Sequence, residues 1–401
     1  MSAEFLSPDY FNNPYLTYRE FHKSSPIFWH EAIRAWIISP YAEVEKGLSN
    51  SDLNAGERIA SASAHLSQEE KIEFSKIIST LNNWIVFQDP PNHTRLRKLV
   101  NKSFTPRSIE AFRPKLEALV DGLVTKAIAK NEFDFVSELS FKIPALVICE
   151  LLGIPEERQD DVRRWSDNHA GFSASAQVGY EAAKAANDAS IEAEKYLFTL
   201  FNELRSHPGE NILSKLVNMD KSEDHLTDEE LAALTIQLFF AGFETTEGLM
   251  GNLLLALHNN PAEKEKLIAD RTKIAYAVEE GLRYDSSILK QSRVASVDLE
   301  IGGHQIKKGD YCHFMIGAAN RDPVRYVNPD SFVVDREDLG HSSFGHGIHF
   351  CIGAPLARLE TKTLLEVLLE RAPNLRVTQG EIKYPQLFAV RKPLELGVSI
   401  N

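Results

Sequence analysis

The sequence predicts a mainly α-helical protein with a small β-rich part, on three observations. Apolar residues recur at helical spacing through most of residues 91–283. Strand-like stretches are few and short, at 35–39, 293–301 and 394–400. One apolar run, 231–257, is long enough to form a helix across the whole molecule.

Within the helical part, residues 108–130 carry Ile109, Phe112, Leu116, Leu119, Val120 and Leu123 on one helical face. Residues 139–152 are mostly apolar and end in Leu-Gly-Ile-Pro, a helix stop followed by a turn. Residues 173–193 are rich in alanine and serine and read as an adaptable segment. The long helix opens with Thr227 and Glu230 in a capping-box pattern, and Pro261 closes it. Its apolar middle is expected to be buried on all sides. Yet that middle holds Ala241-Gly242-Phe243-Glu244-Thr245-Thr246. Glycine costs about 1 kcal/mol against alanine inside a helix, and an unpaired carboxylate there costs more. Such departures from local rules concentrate at functional sites. Residues 302–345 contain many turn formers and read as a long irregular connection.

A chain of 401 residues with 43% hydrophobic residues can bury a large core. It holds no repeat and no Gly/Ser- or Pro-rich linker, so residues 1–401 are expected to form a single domain. No apolar run of membrane-spanning length and no secretory signal pattern occur, and a monomeric cytoplasmic protein without membrane attachment is expected. Three scattered cysteines, Cys149, Cys312 and Cys351, make no disulfide framework. The net charge of −13 argues against nucleic-acid binding. Arg95, Arg97, Lys98 and Lys102 nevertheless form a local basic cluster.

The strongest constellation is Phe344-Gly345-His346-Gly347-Ile348-His349-Phe350-Cys351-Ile352-Gly353. Ordinary composition would produce this glycine frame in on the order of one chain in a hundred thousand. Glycines permit a tight loop around one cysteine, with amides left to point at its sulfur and stabilise a thiolate. The helix that follows, 354–369, turns its positive end toward that sulfur. No second cysteine stands at zinc-ligand spacing, and no Cys-His nucleophile arrangement is recognisable. One thiolate without other soft ligands fits haem.

On these motifs the chain resembles the cytochrome P450 haem-thiolate monooxygenases, the bacterial soluble class in particular, over nearly its whole length. The resemblance implies heme b (iron protoporphyrin IX) with Cys351 as axial ligand, Phe344 and Gly345 packing beside the haem, and Ala241 along its other face. It implies an acid–alcohol pair, Glu244 and Thr245: Thr245 would hydrogen-bond oxygen or a nearby water, and Glu244 would relay protons. His93, Arg97, Arg293 and His349 match positions that grip the haem propionates. Glu280 and Arg283 match the family's structural Glu-x-x-Arg pair, but Ser331 stands where a third member, an arginine, is often found. Substrate contacts carry over to Trp84, Val86, Leu238, Ile288, Leu289 and Phe388, with Lys290 an unusual neighbour.

The implied activity is insertion of one oxygen atom from O2 into a small organic substrate of secondary metabolism, by hydroxylation or epoxidation. No flavin, nicotinamide or iron–sulfur motif occurs. Electrons are therefore expected from a separate ferredoxin and ferredoxin reductase, docking on the basic cluster and Arg358. The alternatives are a peroxide-dependent haem enzyme and a non-catalytic haem sensor or carrier.

Overall fold

The structure, a computed structural model, describes residues 5–64, 66–102, 104–175, 178–219 and 224–400. Helices dominate, and the chain forms two compact units: residues 1–53, 111–144 and 244–401, and residues 54–110 and 145–243.

The second of these units is helical. Helices Gln159–Ser173 and Tyr180–Ser206 pack together, and Ser75–Asn82 lies on the latter, where the Ile77 amide donates to Asn187 Oδ1 at 3.1 Å. Ala183, Ala186, Ala189 and Ala193 are buried on that helix. The alanine-rich segment expected to be adaptable is, from Tyr180 onward, a packing face whose small side chains let helices approach closely. Residues 176 and 177 of it lie outside the described residues.

The first unit carries the sheets. Five strands order as Ile27–His30, Ala35–Ile38, Tyr311–Phe314, Gln291–Ala295 and Leu53–Asn54. Tyr311–Phe314 pairs parallel to Ala35–Ile38 and antiparallel to Gln291–Ala295. This central strand, and the buried turn Ile316–Ala319 after it, correct the reading of 302–345 as an irregular surface connection. The strand expected at 293–301 is two, Gln291–Ala295 and Leu299–Ile301. Between them Ser296 leaves the ladder and bonds Asp52 O through both its amide and hydroxyl, each at 2.9 Å. Glu132–Asp134, Gly397–Ser399 and Arg376–Val377 form a separate three-stranded sheet.

The long helix runs Asp228–Asn259, 32 residues or about 48 Å. Its capping box is present: the Glu230 amide donates to Thr227 Oγ1 at 3.2 Å and the Thr227 amide to Glu230 Oε2 at 3.0 Å. Leu249, Leu253 and Leu257 pack it against Ile274, Val278, Leu282, Phe332, Phe344 and Leu365. Among the described residues, no helix is long and apolar enough to cross a membrane.

Candidate haem site and the family of the chain

The cysteine loop sits between the core of the first unit and helix Ala354–Arg371. Gly345 and Gly347 adopt φ of +69° and +67°, the left-handed region that side chains disfavour. A Cβ on Gly347 would also stand 3.0 Å from Ser49 Cα. Here the glycine frame is a steric requirement. The amides of Gly345, Phe350 and Cys351 close the loop on Ser342 O, Gly347 O and Phe344 O at 2.8, 3.1 and 2.9 Å. Those three amides close the loop on itself.

Phe344 is buried and anchors the loop in the core. Arg358 lies over its ring, 4.5 Å from the centroid, and makes two hydrogen bonds to Glu279 at 2.6 and 2.8 Å. Burial would raise the Glu279 carboxyl, but its bonds to Arg358 and His341 outweigh that and hold it down at about 2.

Of the three cysteines, Cys149 and Cys312 are buried, and desolvation pushes both thiols up to about 12. Near neutral pH they stay protonated, unsuited to metal ligation. Cys351 alone is partly exposed. We expect iodoacetamide to leave Cys149 and Cys312 unlabelled in the folded protein, as peptide mass mapping would show; rapid native-state labelling of either would contradict this assignment.

The long helix departs from the expectation of burial on every side. Glu244 is buried, but Ala241 is exposed and Gln237 and Thr245 are partly exposed. These three are spaced four apart, so one face of an otherwise packed helix stays open, lined at its centre by a methyl group and a hydroxyl. Gly242 faces elsewhere, with Ile148 only 3.1 Å from where its Cβ would be. Glu244 Oε2 lies 2.8 Å from Lys392 Nζ, which also contacts Glu247 Oε2 at 2.8 Å. Neither Lys392 nor Glu247 was legible as a partner, because Lys392 is 145 residues from Glu247 and belongs to no motif.

In the second unit His93 is buried in the first turn of helix Asn92–Asn101, with Arg97 one turn on and donating to Asn101 Oδ1 at 3.2 Å. In the first unit Arg293 is buried on its strand, donating to Ser292 O at 2.8 Å, and His349 is partly exposed in the loop. Of the expected substrate contacts, Trp84 is buried and stacks on Phe87, His169 and Phe240. Leu238 and Leu289 are buried as well. Phe388 is packed among Phe5, Tyr10 and His313. Val86 and Ile288 keep partial exposure. Lys290 lies over the Phe388 ring, 4.9 Å from its centroid, and bonds Ser292 Oγ at 3.1 Å. Arg95, counted in the basic cluster, is paired with Glu230 and bonds His225 O at 3.2 Å.

The Glu280–Arg283 pair is fully buried, with two hydrogen bonds of 2.7 and 2.8 Å. Its third member is Arg336, four residues beyond Phe332, whose Nε lies 3.1 Å from Glu280 Oε2. Ser331 contributes its carbonyl, which accepts from both arginines at 2.9 and 2.8 Å. The doubt raised by Ser331 is thus resolved by a residue five positions on.

A family model described as Cytochrome P450 matches residues 183–386. The biotin biosynthesis cytochrome P450 of Bacillus subtilis strain 168 is 32% identical, with 100% of each chain covered. The chain belongs to the cytochrome P450 family. Cytochrome P450 monooxygenase PikC of Streptomyces venezuelae is 35% identical over 94% of this chain and 88% of that one. The structure of P450BioI with hexadec-9Z-enoic acid ligated acyl carrier protein superposes with a TM-score of 0.91 at 31% identity, covering 98% and 100%. PksS, the P450 of the B. subtilis bacillaene polyketide synthase, superposes with a TM-score of 0.87 at 32% identity, covering 99% of each. As a P450 the chain is a monooxygenase of the haem b class. Residues of the first unit fit that group: a partly exposed cysteine in a glycine-shaped loop and a buried arginine, Arg293.

Proposed function

We propose that this P450 inserts one oxygen atom from O2 into a small organic molecule of secondary metabolism, with electrons from a separate ferredoxin and its reductase. The observation that carries the reading is the open Ala241–Thr245 face in the middle of a packed helix, beside the buried carboxylate of Glu244. The substrate class is supported by the relatives, among them a polyketide biosynthesis P450.

Cys351 would hold the haem through its thiolate, with Phe344 and Gly345 beside it. His93, Arg97, Arg293 and His349 would hold its propionates by charge-assisted hydrogen bonds. Bound there, haem supplies the one-electron and dioxygen chemistry that no amino-acid side chain provides. The protein's own contribution is proton handling and orientation. The Thr245 hydroxyl, on the open face, can donate a hydrogen bond where dioxygen is reduced and accept one from water. Glu244, the adjacent acid, can pass a proton toward it and recover one from solvent, the work of a general acid. Trp84, Val86, Leu238, Ile288, Leu289 and Phe388 would shape the space for substrate. A sensor or carrier would have no use for an acid beside a hydroxyl on this face, and a peroxide-driven enzyme would have little.

With ferredoxin, reductase and a compound that shifts the haem spectrum on titration, Thr245→Ala is expected to release most of the reduced oxygen as hydrogen peroxide. Product formed per electron should fall by about tenfold or more. Fully coupled product formation in that variant would remove Thr245 from the mechanism. Turnover supported by peroxide but not by ferredoxin would favour the peroxide-dependent reading.

A further inference from the structure

Lys392, Glu244 and Glu247 form a buried cluster with relative exposures of 7%, 0% and 2%. The two glutamates are three apart on one helix, hence on one face, and each has an Oε2 at 2.8 Å from the same ammonium. The lysine comes from a segment that the helix is shaped to receive. A Cβ on Gly248 would stand 2.7 Å from Arg391 O, and one on Gly251 would stand 2.6 Å from Pro393 Cγ. Asn252 Nδ2 fastens the same segment, donating to Arg391 O at 3.2 Å and to Asp285 O at 3.1 Å.

Two carboxylates and one ammonium leave a net single negative charge in a buried place. Burial works to lower the pKa of Lys392, but the two carboxylates outweigh it and hold the ammonium well above its ordinary value. A lone Glu–Lys pair would be locked, because parting it strands a buried cation. A pair of acceptors removes that penalty. If Glu244 turns or takes up a proton, Glu247 still neutralises the lysine.

We propose that Lys392 and Glu247 are positioning residues for Glu244: the shared ammonium holds the Glu244 carboxylate ionised and aimed, and Glu247 keeps that ammonium whenever Glu244 moves a proton. This rests on the reading of Glu244 as the relay acid. Only a proton is transferred: Glu244 takes it from water, passes it toward Thr245 and returns to the carboxylate. The electrons come from ferredoxin.

Two measurements on the full chain test it. The first is the infrared carbonyl band of a protonated carboxylic acid, recorded at neutral pH on haem-free and haem-loaded protein. Lys392→Met should add intensity to that band over wild type, in which the buried Glu360 carboxyl, pushed well up by desolvation, already contributes; two adjoining buried carboxylates without a cation cannot both stay ionised. Adding both Glu244→Gln and Glu247→Gln should remove the added intensity, and Lys392→Arg should not gain it. The second is dioxygen consumption driven by a plant-type ferredoxin and its reductase without added substrate, in H2O and D2O. Glu247→Gln keeps the Glu244–Lys392 pair and so should fold. It should slow consumption by about tenfold and enlarge the solvent isotope effect. No intensity in Lys392→Met beyond that of wild type, or wild-type rate and isotope effect in Glu247→Gln, would overturn the proposal. In either case slow turnover in Glu244→Gln would leave the relay reading standing. Wild-type behaviour of Glu244→Gln itself would overturn that reading and the proposal with it.

Discussion

Glu280→Ala is expected to cost the chain a large share of its folding stability and to lower its denaturant midpoint well below wild type. The Glu280 carboxylate sits at zero exposure and answers Arg283 through two hydrogen bonds, Arg336 through its Nε, and the Val333 amide at 2.8 Å. Removing it leaves two guanidinium groups and an amide facing an apolar methyl. Breaking a buried ion pair from one side costs about 3–5 kcal/mol. Total stabilities run at about 5–15 kcal/mol, so the loss is a large share of the whole. Glu280→Gln keeps acceptors for part of this set and should fall between alanine and wild type. Denaturant midpoints followed by circular dichroism check the order. A wild-type midpoint for Glu280→Ala would show that the network contributes little.

Much of this was legible because it is local in sequence. The capping box at Thr227, the Glu280–Arg283 spacing and the tight turns at Gly345 and Gly347 each act within one turn or one loop, and each is formed as the sequence predicts. The misread parts are those set by distant partners. Tyr311–Phe314 is a central strand because Ala35–Ile38 and Gln291–Ala295 flank it, and its four residues, with a histidine and a cysteine, carry no alternation of their own. Residues 173–193 looked adaptable from composition, yet alanines at helical spacing make a close-packed face. Arg336 took the expected arginine's place from five residues further along, where backbone geometry, not motif position, brings it to Glu280. Lys392 could not be foreseen, although Gly248 and Gly251 mark the helix face where another segment lies close.

The acid–alcohol pair shows both effects at once. Gly242 and Glu244 stand out by their oddity in an apolar helix, and the resemblance to the family pairs Glu244 with Thr245. What the structure adds is their division: Thr245 is on the partly open face with Ala241, while Glu244 is fully buried against Lys392.

The central claim is that Cys351 holds the haem as a thiolate. Cys149 and Cys312 are buried, protonated thiols with no glycine frame, so neither can take its place. A serine at 351 preserves the loop and its backbone closure on Phe344 O but offers an alcohol in place of a soft, electron-rich sulfur. The most direct measurement is the absorption spectrum of the reduced, carbon monoxide-saturated protein, wild type beside Cys351→Ser. The wild type should show the red-shifted band that thiolate ligation produces, and Cys351→Ser should lose it entirely. Retention of that band in Cys351→Ser would contradict the account.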